Sequence, residues 1–337
     1  MTCLFCLPQR PRQSLLRSPS PHGSHRLAPG LLGAVAALLT LSACTGLTPP
    51  TASEAALAQA ASALQAARDS DASRSAQVDQ RLAPLLRRQP YPRLLLLGEQ
   101  HDAPQHQQLQ LEIVRSLLRQ GRLGALTLEM AESGRSTTGL DKTAGETAVQ
   151  QALAWNDAGW PWGRYAPTIM AAVREGIPVM GANLPRNQQR DAMKNEALDA
   201  RLTSASLQKQ LKNIDDGHCG MLAPAQLAPM ARIQIARDLA MAGTLTQTLQ
   251  RLPPPDTEQR AGPPQLVVLI AGHAHVEREL GVPRHLPPAI PSRTIASLAG
   301  ATASDTLDVD LVWPTDALPP RDYCADFKAS LQPQPKP

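Results

Sequence analysis

Leu266-Val-Val-Leu-Ile-Ala-Gly-His-Ala-His275 decides the fold of this chain of 337 residues. Six apolar residues run without polar alternation into a glycine and two histidines. Such a run suits a strand buried on both faces, the kind a parallel sheet contains. The same pattern recurs upstream. Leu94-Leu-Leu-Leu97 closes on Gly98-Glu-Gln-His101, Ala125-Leu-Thr-Leu128 on Glu129, and Pro178-Val-Met-Gly-Ala182 on Asn183. Between the first two runs, Leu109, Ile113, Leu117 and Leu118 recur at helical spacing, and Ile169 to Glu175 forms a further helix stopped at Gly176. Strands alternating with helices predict an α/β fold, a mainly parallel sheet flanked by helices. Asp308-Val-Asp-Leu-Val-Trp313 alternates and is expected as an edge strand.

Working outward, 187–252 holds no convincing strand. Gln188 to Leu207 and Gln226 to Leu249 are amphipathic, which predicts a helical cap or insertion over the sheet edge. Pro253 to Pro264 is a proline-rich loop back to the sheet. The domain is expected over 91–315, preceded at 44–90 by a tether with an Ala-rich helix from about Ser53 to Asp69. A tail without regular structure is expected at 316–337, where the chain ends Gln-Pro-Gln-Pro-Lys-Pro.

The first 43 residues have the form of a secretory signal. Arg10, Arg12, Arg17 and Arg26 precede an apolar run of 11 residues, Leu31 to Leu41, and no acidic residue intervenes. That run is too short for a permanent membrane helix. Leu41-Ser-Ala-Cys44 resembles the bacterial lipobox, so Cys44 is expected to be lipidated as the mature N-terminus. Thr45 in place of Asp makes the outer membrane the expected location, with the domain facing the periplasm. Four of the chain's 33 Lys and Arg lie in the leader, leaving 29 against 29 acidic residues, so the mature chain is near neutral. No basic patch argues for nucleic acid. Cys3 and Cys6 are lost with the leader. Cys219 and Cys324 remain, two thiols that invite a disulfide in an oxidising compartment or else stay unpaired.

Chemistry gathers at the strand ends. Glu99, His101, Glu129, His273 and His275 all follow a run directly, and ligands bind at the carboxyl ends of parallel strands. Imidazoles with carboxylates ligate divalent metals and also act as general acid and base. Arg186, just after the third run, offers a planar fork for a carboxylate or phosphate. A second cluster is aromatic. Of eight aromatic residues after the leader, Trp155, Trp160, Trp162 and Tyr165 fall within eleven positions. They offer a flat wall for a planar ligand such as a porphyrin, or else pack a loop onto the sheet.

Taken together, these segments resemble the ChaN family of haem-uptake lipoproteins, within the Tiki and TraB superfamily. The resemblance runs over about 93–297. It rests on Gly98-Glu-Gln-His-Asp102 with His106, Leu128-Glu-Met130, Asn183-Leu-Pro-Arg186, Asp216-Gly-His-Cys-Gly-Met221, Arg237-Asp238, and Ala271-Gly-His-Ala-His275 with Gly281-Val-Pro-Arg-His-Leu286. It implies a haem binder serving iron uptake, with haem held between two protomers through a tyrosine and delivered with an outer-membrane haem receptor as partner. Tyr165 is the tyrosine expected in that role, with Trp162 and Arg186 beside the ligand. The same superfamily implies an alternative, a metal-dependent hydrolase, protease or esterase, with His101, Glu129 and His275 catalytic and a divalent ion held by Glu99, His101, Glu129, His273 and His275. The chain departs from the family pattern at its last motif. Gly-His-Ala-His stands where Gly-Asn-Gly-His is expected, which adds His273 as a further ligand.

Overall fold

The computed structural model describes residues 52–253, 264–301 and 307–331. The leader and Cys44 lie outside the described residues. The unit that carries the sheet begins at Arg74. Its six strands are β1 (Leu94–Glu99), β2 (Leu123–Glu132), β3 (Val179–Asn183), β4 (Leu266–Gly272), β5 (Ser292–Ala299) and β6 (Leu311–Thr315). They lie in the order β3-β2-β4-β1-β5-β6, every pair parallel. This is the parallel α/β sheet that the apolar runs imply.

Strand side chains alternate between two cores, as the period of two requires. Leu95, Leu97, Leu126, Leu128, Val268 and Ile270 share a core with α2 (Pro104–Arg119), α3 (Glu146–Leu153) and α4 (Trp162–Arg174). Leu94, Leu96, Val267 and Leu269 face the second half of α7 (Pro224–Gln250), through Met241, Ala242 and Leu245. The two central strands, β1 and β4, are buried along their whole length, which is why they lack alternation in sequence.

Three boundaries differ from the sequence reading. α1 runs from Ala52 to Arg87 without a break at the polar stretch, and Val78, Leu82, Leu85 and Leu86 join the first core. The fold therefore recruits residues before Tyr91, because apolar residues at helical spacing recur there among charges. The edge strand starts at Leu311, not Asp308. Asp310 accepts bonds from Thr294 N and Oγ1 and pairs with Arg278, so it turns the chain before pairing begins. The tail is not structureless. Tyr323–Ser330 forms α8, tied by a Cys219–Cys324 disulfide and by the Tyr323 hydroxyl, which donates to Asp102 Oδ2 at 2.5 Å.

The insertion is helical throughout: α5 (Arg186–Lys194), a 3-10 turn at Glu196–Arg201, α6 (Ser204–Gly217), and the start of α7. Leu184, Ala192, Leu198, Leu202, Ile235 and Ala236 give it a small core of its own. α7 belongs to both layers, since its first half caps the rim and its second half covers the sheet.

Candidate functional site

The register sets the rim. Glu99 pairs with Gly272, and Leu128 lies opposite Ile270, so Glu99, Glu129 and Gly272 reach one rim, while β2 continues beside β3 to Glu132. A 3-10 turn, His273–Val276, packs against the end of β1. The glycines of both Gly-x-x-His motifs permit this. A Cβ on Gly98 would lie 2.5 Å from Val276 Cγ2 and 2.7 Å from His273 Cα, and one on Gly272 would lie 3.0 Å from His101 Nε2.

Glu129 stands at the centre, 1% exposed. One oxygen accepts the Gly272 N–H at 2.8 Å. His101 Nε2 lies 3.7 Å from Oε2 and His275 Nε2 lies 3.5 Å from Oε1. Each imidazole is held from behind by a second carboxylate: His101 Nδ1 is 2.7 Å from Glu99, and His275 Nδ1 is 2.6 Å from Asp238. The result is a buried row, Glu99–His101–Glu129–His275–Asp238. The expected group of His101, Glu129 and His275 is thus brought together, with Glu99 and His273 beside it.

The electrostatics follow from burial against pairing. Burial alone would lower the His275 pKa, but Asp238 and Glu129 outweigh it and raise it to about 10. Burial pushes Glu129 upward, yet the two histidines and the Gly272 N–H hold it well below the usual carboxylate range. Asp238 is raised to about 6, chiefly by burial. His273 is lowered to about 4, again by burial, and stays neutral near pH 7.

Glu99 differs in role from the expectation of a metal ligand. Its oxygens accept from His101 Nδ1, from the Tyr165 hydroxyl at 2.7 Å, from Gln107 Nε2 at 2.9 Å and from Gln110 Nε2 at 2.6 Å. Those four donors occupy a carboxylate's lone pairs. Among the described residues, no group of three or more His, Cys, Asp or Glu side chains is arranged to hold a metal ion. The donors face one another's protons instead, so the residues present do not fit a resident divalent ion.

The aromatic cluster also takes a different part. Tyr165 is 2% exposed, and its hydroxyl is committed to Glu99, so it offers no oxygen to an entering ligand. Trp162 is buried and gives its indole N–H to Glu146 at 2.6 Å. Trp162 and Tyr165 belong to the first core, and Trp155 packs against it, edge-on to Trp162 and tilted to Tyr165. Trp160 also reaches the rim, its ring 4.7 Å from that of His101. Arg186 is exposed and lines a cavity of about 590 Å³ with Trp160, Asn183 and Arg237, away from Tyr165.

A larger cavity, about 1170 Å³, opens on the other side of Glu129. Ile214, Gln234, Met221, His273, Arg321 and Tyr323 are among its walls. Most of these carry no strand-end signal, because they reach the rim from α6, α7 and the disulfide-tethered α8. Asp238 was legible only as part of Arg237-Asp238. Tyr323 lay in a segment whose composition argued against structure.

Fold and rim together define a parallel α/β protein with paired acid–imidazole groups at the strand ends. The family model described as haem-binding uptake, Tiki superfamily, ChaN matches residues 85–286, and the chain belongs to that family. Among solved structures, ChaN of Campylobacter jejuni, described with cofacial haem, is 21% identical with a TM-score of 0.52, covering 68% of this chain and 89% of that one. A mutant of the erythromycin esterase EreC in its open conformation is 15% identical with a TM-score of 0.37, covering 61% of this chain and 70% of that one. A Bacillus cereus protein is 14% identical with a TM-score of 0.34, over 61% and 65%. No curated protein matches the chain.

Proposed function

We propose that this protein binds haem in the cavity of about 1170 Å³ and serves haem uptake as a lipid-anchored protein of the bacterial outer membrane, facing the periplasm. Membership of the haem-binding family is the observation that carries this reading. The cavity supports it. Its volume lies just above the roughly 300–1,000 Å³ of ordinary small-molecule sites. Its walls join apolar surface from Ile214 and Met221 to polar groups. Gln234 Nε2 lies buried there with no hydrogen-bond partner, a donor waiting for an acceptor such as a carboxylate. The Leu-Ser-Ala-Cys44 ending supports the anchor. A homodimer sharing haem and an outer-membrane haem receptor complete the proposal.

The test is titration of the purified full chain with haemin, followed by its visible spectrum. Saturable binding at micromolar concentration is expected, a free energy of about −8 kcal/mol. Ala274 is exposed and lines the cavity, so Ala274→Trp should weaken binding at least tenfold. No saturable binding by the wild type would overturn the reading.

The acid–imidazole row favours a second reading, hydrolysis without a resident metal. There His101, oriented by Glu99, would draw a proton from water beside Glu129, while His275, held protonated by Asp238 and Glu129, keeps that carboxylate in place. Turnover of a p-nitrophenyl ester that vanishes in both Glu129→Gln and His275→Asn would support it. Equal rates in wild type and variants would remove it.

A further inference from the structure

We infer that the smaller cavity is a second binding site, for a small molecule with an apolar body and an oxyanion head, a carboxylate or a phosphate. The site stands apart from the haem reading and needs no part of it. Its volume, about 590 Å³, falls within the roughly 300–1,000 Å³ of ordinary small-molecule sites. Two sequence segments that the acid–imidazole row leaves partly unexplained meet there. Asn183-Leu-Pro-Arg186 brings Arg186, and Arg237-Asp238 brings Arg237. Arg237 and Asp238 are consecutive on α7, where successive side chains point about 100° apart. Asp238 therefore holds His275 beside the larger cavity, while Arg237, 9% exposed, enters the wall of the smaller one.

Arg186 comes from a different element. The Asn183 side chain donates to the Glu129 carbonyl and accepts the Leu184 N–H, both at 2.8 Å, and Glu132 accepts the Arg186 backbone N–H at 3.2 Å. These bonds pin the turn between β3 and α5. The Arg186 guanidinium itself is exposed, with no hydrogen-bond or ion-pair partner among the described residues. Two carboxylates also line the cavity, Glu129 and Glu132. Glu129 is answered by the protonated His275, 3.5 Å away. That leaves Glu132 against two guanidinium groups, an excess that favours an anion. The planar fork of arginine matches the paired oxygens of a carboxylate or phosphate. For the apolar body, the Trp160 ring, Met130 and Leu153 supply the wall. Trp160 is fixed in place, since its backbone N–H donates to the Asn156 carbonyl at 2.9 Å and its carbonyl accepts the Trp155 indole N–H at 2.8 Å.

The experiment is isothermal titration of the full chain with benzoate, with phenyl phosphate, and with benzylamine as a cation of similar size. Saturable binding of one or both anions is expected, and none of benzylamine; the tighter anion names the head group. Arg186→Gln should weaken anion binding about tenfold or more, as the loss of a bond to a charged group does. Arg186→Lys keeps the charge without the fork and should recover only part of that loss. Ala158 is exposed and lines the cavity, so Ala158→Trp should weaken binding too, which an anion held elsewhere on the surface would not show. Benzylamine bound as tightly as the anions, no anion bound by the wild type, or anion affinity unchanged in either Arg186→Gln or Ala158→Trp would overturn the site, whatever the outcome with haemin.

Discussion

One methyl group at Gly98 would meet the His273 backbone at 2.7 Å and Val276 at 2.5 Å. Backbone cannot swing aside as a flexible side chain does, so Gly98→Ala must displace the turn that carries His273 and His275. We expect a loss of about 1–3 kcal/mol in denaturant melts, together with weaker haemin binding in titration. Tyr165→Phe acts differently. It removes one of four donors from a buried carboxylate, and a bond to a charged group contributes about 1.5–3 kcal/mol. A lower unfolding midpoint is expected. A midpoint equal to wild type would show that the Tyr165–Glu99 bond does not form. At this scale the sequence was legible where function and strand end coincide. Glu99, His101, Glu129, His273 and His275 could be placed on one rim from the runs before them. Tyr165 could not be placed, because nothing in an aromatic-rich segment says which ring faces the core.

His106 shows how the elements are tied. It sits in α2, fully buried, accepts the Gln100 N–H on Nδ1 at 2.9 Å, and faces Thr315 Oγ1 with Nε2 at 2.9 Å. One imidazole thus joins the end of β1 to the end of β6. A proton on Nδ1 would oppose the Gln100 N–H, and burial holds the His106 pKa at about 4. A folded pKa below the unfolded value of about 6.5 means that the unfolded chain binds the proton first. The associated stability is complete above pH 6.5 and is lost as pH falls toward 4, on the order of 3 kcal/mol in all. Urea melts at pH 7 and pH 5 should show this loss in wild type and a smaller one in His106→Asn. Equal losses would contradict it. His275 works in the opposite direction, since its raised pKa stabilises below pH 6.5 and fades toward pH 10. The strands β1 to β4 were legible as apolar runs, whereas β5, with Arg293, Thr294 and Ser297 between its apolar residues, offers no such run and was missed. α8 was not, since Tyr323–Ser330 has a weak apolar face and is fixed by Cys324 and Asp102, contacts far away in sequence.

At the scale of the whole molecule, the sheet unit begins at Arg74, and its rim cavity is walled by six separate stretches of chain, around Glu99, Glu129, Ile214, Gln234, His273 and Tyr323. No helix among the described residues is long and apolar enough to cross a membrane. The proposed attachment rests on the Leu-Ser-Ala-Cys44 ending, where acyl chains on Cys44 would bury many CH₂ groups. Cys44→Ser should leave the precursor unprocessed and move the protein out of the outer-membrane fraction; unchanged fractionation would contradict the anchor. The central claim is that haem lies in the large cavity at the carboxyl end of the sheet. The direct measurement is a crystal structure of the haem-loaded protein with iron located by its anomalous scattering. An iron peak is expected inside the cavity lined by Gln234, Met221 and Tyr323. A peak in the smaller cavity beside Trp160 and Arg186, or on the outer surface of the domain, would contradict it.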